Sequence, residues 1–63
     1  MTGKEAVACA ERRAPVTCGG ITYKRISAVI WRYDNEKRIE VEMEDFNGHS
    51  FTVAPVEKVN ENI

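Results

Sequence analysis

The sequence predicts an α+β fold in one small domain, residues 1–63: a short N-terminal helix followed by a four-stranded antiparallel meander. Three observations support this prediction. A helix-capping signal stands near the start, apolar and polar residues alternate from Ile21 to Pro55, and short polar or glycine turns divide that stretch. A core built from 63 residues rarely yields more than about 3–5 kcal/mol of stability. We therefore expect a homo-oligomer.

The helix is predicted over about residues 3–13. Thr2 and Glu5 have the spacing of a capping box, in which the Thr2 hydroxyl accepts the Glu5 amide and the Glu5 carboxylate reaches back. Pro15 disfavours helix at the preceding residue and ends the segment. The apolar positions are small, so the helix must lie close to whatever it covers. They are Ala6, Val7, Cys9, Ala10 and Ala14.

A short strand over about residues 16–18 and a Gly19-Gly20 turn predict the first hairpin. This two-residue turn pairs Cys18 with Ile21. The long strand that follows, about residues 21–33, changes phase, because its apolar residues stand first at odd positions and then at even ones. A bulge near Lys24-Arg25 would add one residue and reconcile the two halves.

The register of the next two strands, about residues 38–45 and 50–54, follows from their turns. A turn centred on Asn35-Glu36 places Ile30 opposite Val41 and Ala28 opposite Met43. The resulting core face contains Ile26, Ala28, Ile30, Ile39, Val41 and Met43.

The last hairpin allows two registers. A two-residue Asn47-Gly48 loop would place Phe51 opposite Glu44, on the wrong face for an apolar residue. A three-residue loop, Phe46 to Gly48, places Phe51 opposite Met43 and Val53 opposite Val41. We therefore predict the three-residue loop, with Gly48 in the left-handed region.

The C-terminal residues predict a closing turn. Pro55 ends the strand, Val56 to Val59 form one helical or 3₁₀ turn whose valines fold onto the core, and Asn60 to Ile63 are frayed. A helix on one face of a curled sheet and a small SH3-like barrel with an N-terminal helix both fit this order. The bent long strand and the one-turn segment favour the SH3-like barrel.

Charge and composition narrow the function classes. The net charge of −1 argues against a strong nucleic-acid binder. Residues 1–38 hold eight Lys/Arg and four Asp/Glu, a balance of +4, whereas residues 39–63 hold one and six, a balance of −5. Such halves suit head-to-tail association or an anionic ligand. We expect a cytoplasmic protein, because neither a signal peptide nor an apolar run near the roughly 20 residues of a membrane span is visible.

No catalytic or metal site is predicted, and no cofactor. Cys9 and Cys18 match no zinc or redox spacing and are expected to be buried or half-buried free thiols. His49 is expected to pair with Asp45 beside the last turn. Three alternating glutamates are expected to form a solvated face, because metal binding and acid–base catalysis need carboxylates that converge. They are Glu40, Glu42 and Glu44.

An apolar stripe supplies the first candidate binding site. In the predicted register Val29, Trp31 and Tyr33 point away from the core face, where they are either covered by the helix or exposed as an interface or ligand platform. Basic residues lie nearby in sequence, and arginine beside aromatic rings suits a phosphate or nucleotide, unless these are ordinary solvated charges. The basic candidates are Arg12, Arg13, Lys24, Arg25 and Arg32.

Three sequence segments resemble a group of short, uncharacterised accessory proteins carried by bacteriophages and mobile elements of Firmicutes. They are Arg13-x-Pro15-Val16, the run from Gly20-Ile21 to Val29-Ile30, and Val53-Ala54-Pro55-x-Glu57-Lys58-Val59. The resemblance covers nearly the whole chain. It implies a viral protein that counteracts host defence in the bacterial cytoplasm, by binding an immune protein or a nucleotide signal.

Three functions remain open at this point. The leading one is a non-catalytic oligomer that sequesters an anionic nucleotide with Trp31, Tyr33 and nearby arginines. The second is an SH3-like protein-binding module that blocks a host or phage protein, for example as an anti-CRISPR-like inhibitor, through the same stripe. The third and weakest is a nucleic-acid binder. Arginines converging on a pocket favour the first, an exposed apolar patch favours the second, and a continuous basic strip favours the third.

Overall fold

The computed structural model describes residues 1–48 and 50–61. These residues form a helix, six strands and a 3₁₀ turn, so the predicted α+β class is confirmed. The elements are α1 (Gly3–Arg12), β1 (Val16–Cys18), β2 (Ile21–Tyr23), β3 (Arg25–Tyr33), β4 (Lys37–Glu44), β5 (Phe51–Pro55), the 3₁₀ turn (Val56–Lys58) and β6 (Val59–Glu61). The strands form two antiparallel sheets of three, in the orders β2-β1-β6 and β3-β4-β5. The expected four-stranded meander is therefore corrected, and the two sheets are not closed into a barrel.

Helix α1 begins with the predicted capping box. The Glu5 amide donates to Thr2 Oγ1 at 3.1 Å, and the Thr2 amide donates to Glu5 Oε1 at 2.8 Å. Hydrogen bonding to the Glu5 carboxylate by the Thr2 backbone amide, and less strongly by the Thr2 side chain, lowers the pKa of Glu5. The helix ends at Arg12, one residue earlier than predicted, because Arg13 takes a left-handed conformation at φ 56°.

Small residues let α1 lie directly on the second sheet. Gly3, Ala6 and Cys9 form its buried face. A Cβ atom at Gly3 would lie 2.8 Å from Ile39 Cδ1 and 3.1 Å from Trp31 Cζ2, so a larger residue there would displace at least the end of the Ile39 side chain. The close contact expected from the small apolar residues of the helix is confirmed.

The predicted long strand divides at Lys24 into β2 and β3, one in each sheet. The Lys24 amide donates to the Glu44 carbonyl at 2.8 Å, which ties the bend to β4. The bulge lies at Ser27, between the pairs Ile26–Met43 and Ala28–Glu42. Its predicted position near Lys24-Arg25 is wrong, because the change of sheet already accounts for the first change of phase.

The predicted register between β3 and β4 is also wrong. Val29 faces Val41 and Trp31 faces Ile39, so Ala28 and Ile30 stand opposite glutamates instead of core residues. The turn between the strands has three residues, 34–36, where two were expected. Because side chains alternate along a strand, this single residue moves Ala28 and Ile30 to the other face. Ile26, on the other side of the bulge, stays buried opposite Met43.

The β4–β5 hairpin adopts the register that the sequence argument rejected. Phe51 lies opposite Glu44, and Val53 lies opposite Glu42. Both apolar side chains are about half exposed, at 56% and 48%, while Ala54 fills the buried position opposite Val41. The left-handed conformation predicted for Gly48 is confirmed at φ 74°.

β1 is the central strand of the first sheet, between β2 and β6. The Gly19-Gly20 hairpin pairs Cys18 with Ile21 as predicted, and β6 pairs with the other edge of β1. Val56 and Val59 are buried as predicted, but Asn60 and Glu61 belong to β6 and are not frayed; residues 62–63 lie outside the described residues. The fully buried large side chains are Ile26, Met43, Val16, Val41, Val59 and Cys9.

Candidate functional site

The apolar stripe lies on the face of the second sheet that α1 covers, which corrects the prediction that it points away from the core. Val29 packs against the core. Trp31 lies beneath the start of the helix and is 41% exposed, whereas Tyr33, beyond the helix, is 71% exposed. The stripe therefore passes from the core to the surface along β3, and its two aromatic residues are the most exposed part of it.

These two aromatic residues line an open groove of about 560 Å³ at the tip of the β3–β4 hairpin, hereafter the hairpin groove. The groove exists because β5 pairs with residues 40–44 of β4 only. At Pro55 the chain turns away into the 3₁₀ turn, and Lys37 to Ile39 have no neighbouring strand on that side within the described chain. The lining residues are Trp31, Tyr33, Glu36, Lys37, Arg38, Ile39, Glu40, Pro55, Val56 and Glu57.

The charges around the hairpin groove are mixed. Lys37 Nζ lies 6.0 Å from the centre of the Tyr33 ring, at the outer limit of a cation–π contact. Arg38 lies 3.3 Å from Asp34 Oδ2 and 3.9 Å from Glu40 Oε2. An apolar centre with a polar rim is the usual arrangement of protein–protein interfaces.

Three of the predicted basic residues are in ion pairs. Arg12 pairs with Glu61 at 2.7 Å, Arg25 pairs with Glu44 at 2.7 Å, and Arg32 pairs with Glu40. The hydrogen bond that each donates raises the pKa of Arg12 and of Arg32. An anionic ligand at any of these arginines would have to compete with a carboxylate of the same chain.

The structure does not bring the seven predicted site residues together. Trp31 and Tyr33 line the hairpin groove, while Arg13 and Arg25 line a different groove between α1 and β3, with Trp31 at its far end. The other three are dispersed. Arg12 lies beside β6, Lys24 is exposed at the bend between β2 and β3, and Arg32 lies on the face opposite the aromatic stripe.

The glutamate row lies on the outer face of the second sheet, as expected, but it is half-buried and paired. Ser27 Oγ donates to Glu42 Oε1 at 2.8 Å. Glu44 Oε1 is buried and lies 2.7 Å from Arg25 Nε, an ion pair in which no hydrogen bond of acceptable angle forms. In residues 1–48 and 50–61, no three His, Cys, Asp or Glu side chains converge in a way that could hold a metal ion.

The remaining predictions concern the two cysteines and His49. Cys9 is buried and Cys18 is half-buried, both as free thiols. Burial raises the pKa of the Cys9 thiol, and the charge of Glu61 adds to this effect. The predicted pairing of His49 with Asp45 involves a residue outside the described ones.

Sequence reasoning missed the residues that complete the hairpin groove. Pro55, Val56 and Glu57 form its second wall, and Lys37 and Ile39 its floor. One signal was present: a proline that ends a strand just before a one-turn segment leaves the neighbouring strand without a partner. No comparable signal in the sequence indicated the length of the β3–β4 hairpin, which decides how far β4 extends beyond the end of β5.

No protein-family model, curated protein or solved structure matches the chain. In the described part of the chain, no helix has both the length and the apolar content that a membrane crossing requires.

Proposed function

We propose that the protein is a non-catalytic protein-binding module that takes an extended peptide segment in the hairpin groove. The observation that carries this proposal is the position of Trp31, Tyr33 and Pro55 around one open groove. Aromatic side chains in grooves of this kind bind proline-rich or extended apolar segments, which lose little entropy on binding because they are already extended.

The exposed rings are the expected source of affinity. Trp and Tyr side chains are the residues most often found to dominate binding energy at protein interfaces. Tyr33 is 71% exposed, so its ring is open to a partner and contributes little to the core. The surrounding charges, already paired within the chain, form the polar rim that usually surrounds such a centre.

The nucleotide-sequestering function remains a prediction with less support from the geometry. It requires unpaired arginines that converge on one pocket. Arg13 and Arg25 do line one groove with Trp31, but Arg25 is already paired with Glu44. Arg12 and Arg32 bind other glutamates at separate places. Within residues 1–48 and 50–61, the predicted basic residues lie at separate places instead of in the continuous strip that nucleic-acid binding requires. The partner expected from the resemblance, a host or phage protein, is compatible with a peptide-binding groove.

Selection from a displayed library of random extended peptides tests the proposal. We expect wild-type protein to enrich a sequence pattern with apolar or proline residues at regular spacing. Tyr33→Ala should weaken binding of the selected peptides at least tenfold, because a ring at the centre of an interface contributes about 2 kcal/mol or more. Isothermal titration calorimetry measures the loss, and circular dichroism verifies that the variant is folded.

Ile21→Ala is the matched control, because Ile21 is also exposed, at 55%, but belongs to β2 in the first sheet. It should bind the selected peptides as wild type does. The proposal is wrong if no pattern is enriched, or if Tyr33→Ala and Ile21→Ala bind equally well. Heat released with a panel of cyclic and linear nucleotides, and abolished by Arg25→Ala, would support nucleotide sequestration instead.

A further inference from the structure

The longest unpaired strand edge in the described residues belongs to β3. This strand has nine residues and lies at the end of the order β3-β4-β5. The opposite edge strand, β5, has five residues and finishes in proline, which has no amide hydrogen to donate. The edge strands of the first sheet, β2 and β6, have three residues each. Open edges of this length are templates for a further strand.

The hydrogen-bond pattern identifies the backbone groups on this edge. The Asp45 amide donates to the Ser50 carbonyl at 3.0 Å, so the odd-numbered residues of β4 direct their backbone groups to β5. Because the direction of these groups alternates along a strand, the even-numbered residues of β4 direct theirs to β3. The Glu44 carbonyl does so, accepting from the Lys24 amide at 2.8 Å. In the register of β3, Ala28, Ile30 and Arg32 therefore bond to β4. The amides and carbonyls of Val29, Trp31 and Tyr33 point to the open edge.

A groove runs beside this edge, with α1 as its second wall. Its volume is about 490 Å³, and it is open to solvent along its length. Val7 and Ala10 of the helix face Val29 and Trp31 of the strand across it. An added strand would thus gain apolar contacts for its alternate side chains as well as backbone hydrogen bonds, which is how β-augmentation sites combine affinity with selectivity.

We propose that this edge binds β3 of a second copy of the chain in antiparallel orientation, so that two three-stranded sheets become one sheet of six strands. A second copy fits because β3 is self-complementary. It carries two charged side chains, and both are neutralised within their own chain, Arg25 by Glu44 and Arg32 by Glu40. Two copies of the strand can therefore meet without opposing unpaired like charges.

Symmetry and the bulge define the register. A two-fold axis perpendicular to the sheet keeps each side chain on its own face, so a residue must pair with one of the same parity. The bulge at Ser27 interrupts the edge, which leaves residues 28–33 as the regular segment. Pairing Trp31 with Trp31 of the second copy uses this segment alone and places Tyr33 opposite Val29 of the second copy.

Amide hydrogen exchange, followed by NMR at several protein concentrations, tests the proposal on the unmodified chain. At concentrations where sedimentation gives about twice the 7.1 kDa monomer mass, the amides of Val29, Trp31 and Tyr33 should exchange slowly. On dilution to the monomer, these three amides should exchange at least tenfold faster. The amides of Ala28, Ile30 and Arg32 should stay protected, because they bond to β4 in both states.

A charged residue at the edge provides the second test. Tyr33→Lys should shift the sedimentation equilibrium to the monomer, because a lysine on an edge strand prevents further strands from pairing. Tyr33 is 71% exposed, so the substitution should not unfold the domain. Val53→Lys, on the other edge of the same sheet, is the matched control and should leave the dimer intact. A monomer at every concentration overturns the proposal. So does a dimer in which the Val29, Trp31 and Tyr33 amides exchange freely, since its interface would lie elsewhere.

Discussion

Ser27 determines which side chains of β3 reach the core. It is the extra residue of the bulge, and its hydroxyl donates to the Glu42 carbonyl at 3.2 Å as well as to the Glu42 carboxylate. The side chain of the residue that the bulge leaves unpaired thus still ties β3 to β4. Because of this insertion Ile26 and Val29, three residues apart, lie on the same face of the sheet.

The arginine–glutamate pairs are a second residue-scale feature with a consequence for function. Each pair joins two elements: α1 with β6, the start of β3 with the end of β4, and the end of β3 with β4. The Arg12–Glu61 pair is exposed on both sides and contributes little to stability, since water screens it. In the other two pairs the glutamate side chain is largely covered. The main effect of the three pairs is to occupy the cationic groups that an anionic ligand would otherwise use.

Gly48 supports a prediction at the same scale. Its φ of 74° is a conformation that β-branched residues strongly disfavour. Gly48→Val should therefore lower the free energy of unfolding by about 1–2 kcal/mol, measured by urea titration. Gly48→Asn should cost less, because asparagine tolerates the left-handed region. Equal losses in the two variants would show that the conformation of this residue is not the cause.

At the scale of elements, α1 combines a strong N-terminal cap with a face of very small side chains. The capping box supplies two hydrogen bonds to amides that would otherwise lack partners. The small face lets the helix approach the sheet until Gly3 almost touches Trp31 and Ile39. The position of the aromatic residues in the hairpin groove therefore depends on the start of the helix.

The capping box predicts a pH dependence. The pKa of Glu5 is held below its ordinary value of 4.5 by the hydrogen bonds from Thr2. A carboxylate whose pKa is lowered by folding adds stability above its unfolded pKa and loses that contribution as the pH falls through the folded value. The stability difference between wild type and Glu5→Ala should thus be largest near neutral pH and shrink below pH 4.5. Urea unfolding across this range measures it, and a difference that does not vary with pH would contradict the assignment.

At the scale of the whole molecule, local sequence signals predicted where the helix, the hairpins and the closing turn lie. They did not predict which side chains of a strand face the core. Thr2 and Glu5 identified the helix start, Gly19-Gly20 identified a hairpin with its register, and Val56 and Val59 identified the closing turn. Each of these signals acts over a few neighbouring residues. The position of a turn or a bulge along an apolar strand depends instead on packing against residues that lie far away in sequence.

The stretch from Ala28 to Trp31 shows why the face of β3 was mispredicted. Four consecutive apolar residues satisfy either alternation, so their pattern does not select one. The predicted site residues depended on the same choice of face. The sequence left open whether the aromatic residues are covered or exposed, and the arginines were assigned to a common site because their pairing with Glu40 and Glu44 depends on the register.

The pairing of β6 with β1 also has a kinetic consequence. The second sheet consists of hairpins between strands adjacent in sequence, whereas the β1–β6 pairs, such as Cys18 with Val59, join residues about 40 positions apart. Closing such a long loop costs more entropy before any contact compensates for it. The β3–β4–β5 hairpins should therefore form in the transition state of folding, and the first sheet should close after it.

Val41 and Val59 test this order, since both are completely buried and each loses the same two methyl groups on substitution by alanine. Stopped-flow measurement in urea should show Val41→Ala mainly slowing folding and Val59→Ala mainly accelerating unfolding, although both destabilise the native state. The reverse assignment would place closure of the first sheet before the hairpins. In the expected order, a domain that has lost only β6 has already formed the hairpin groove, and the last strand controls how long the folded state survives.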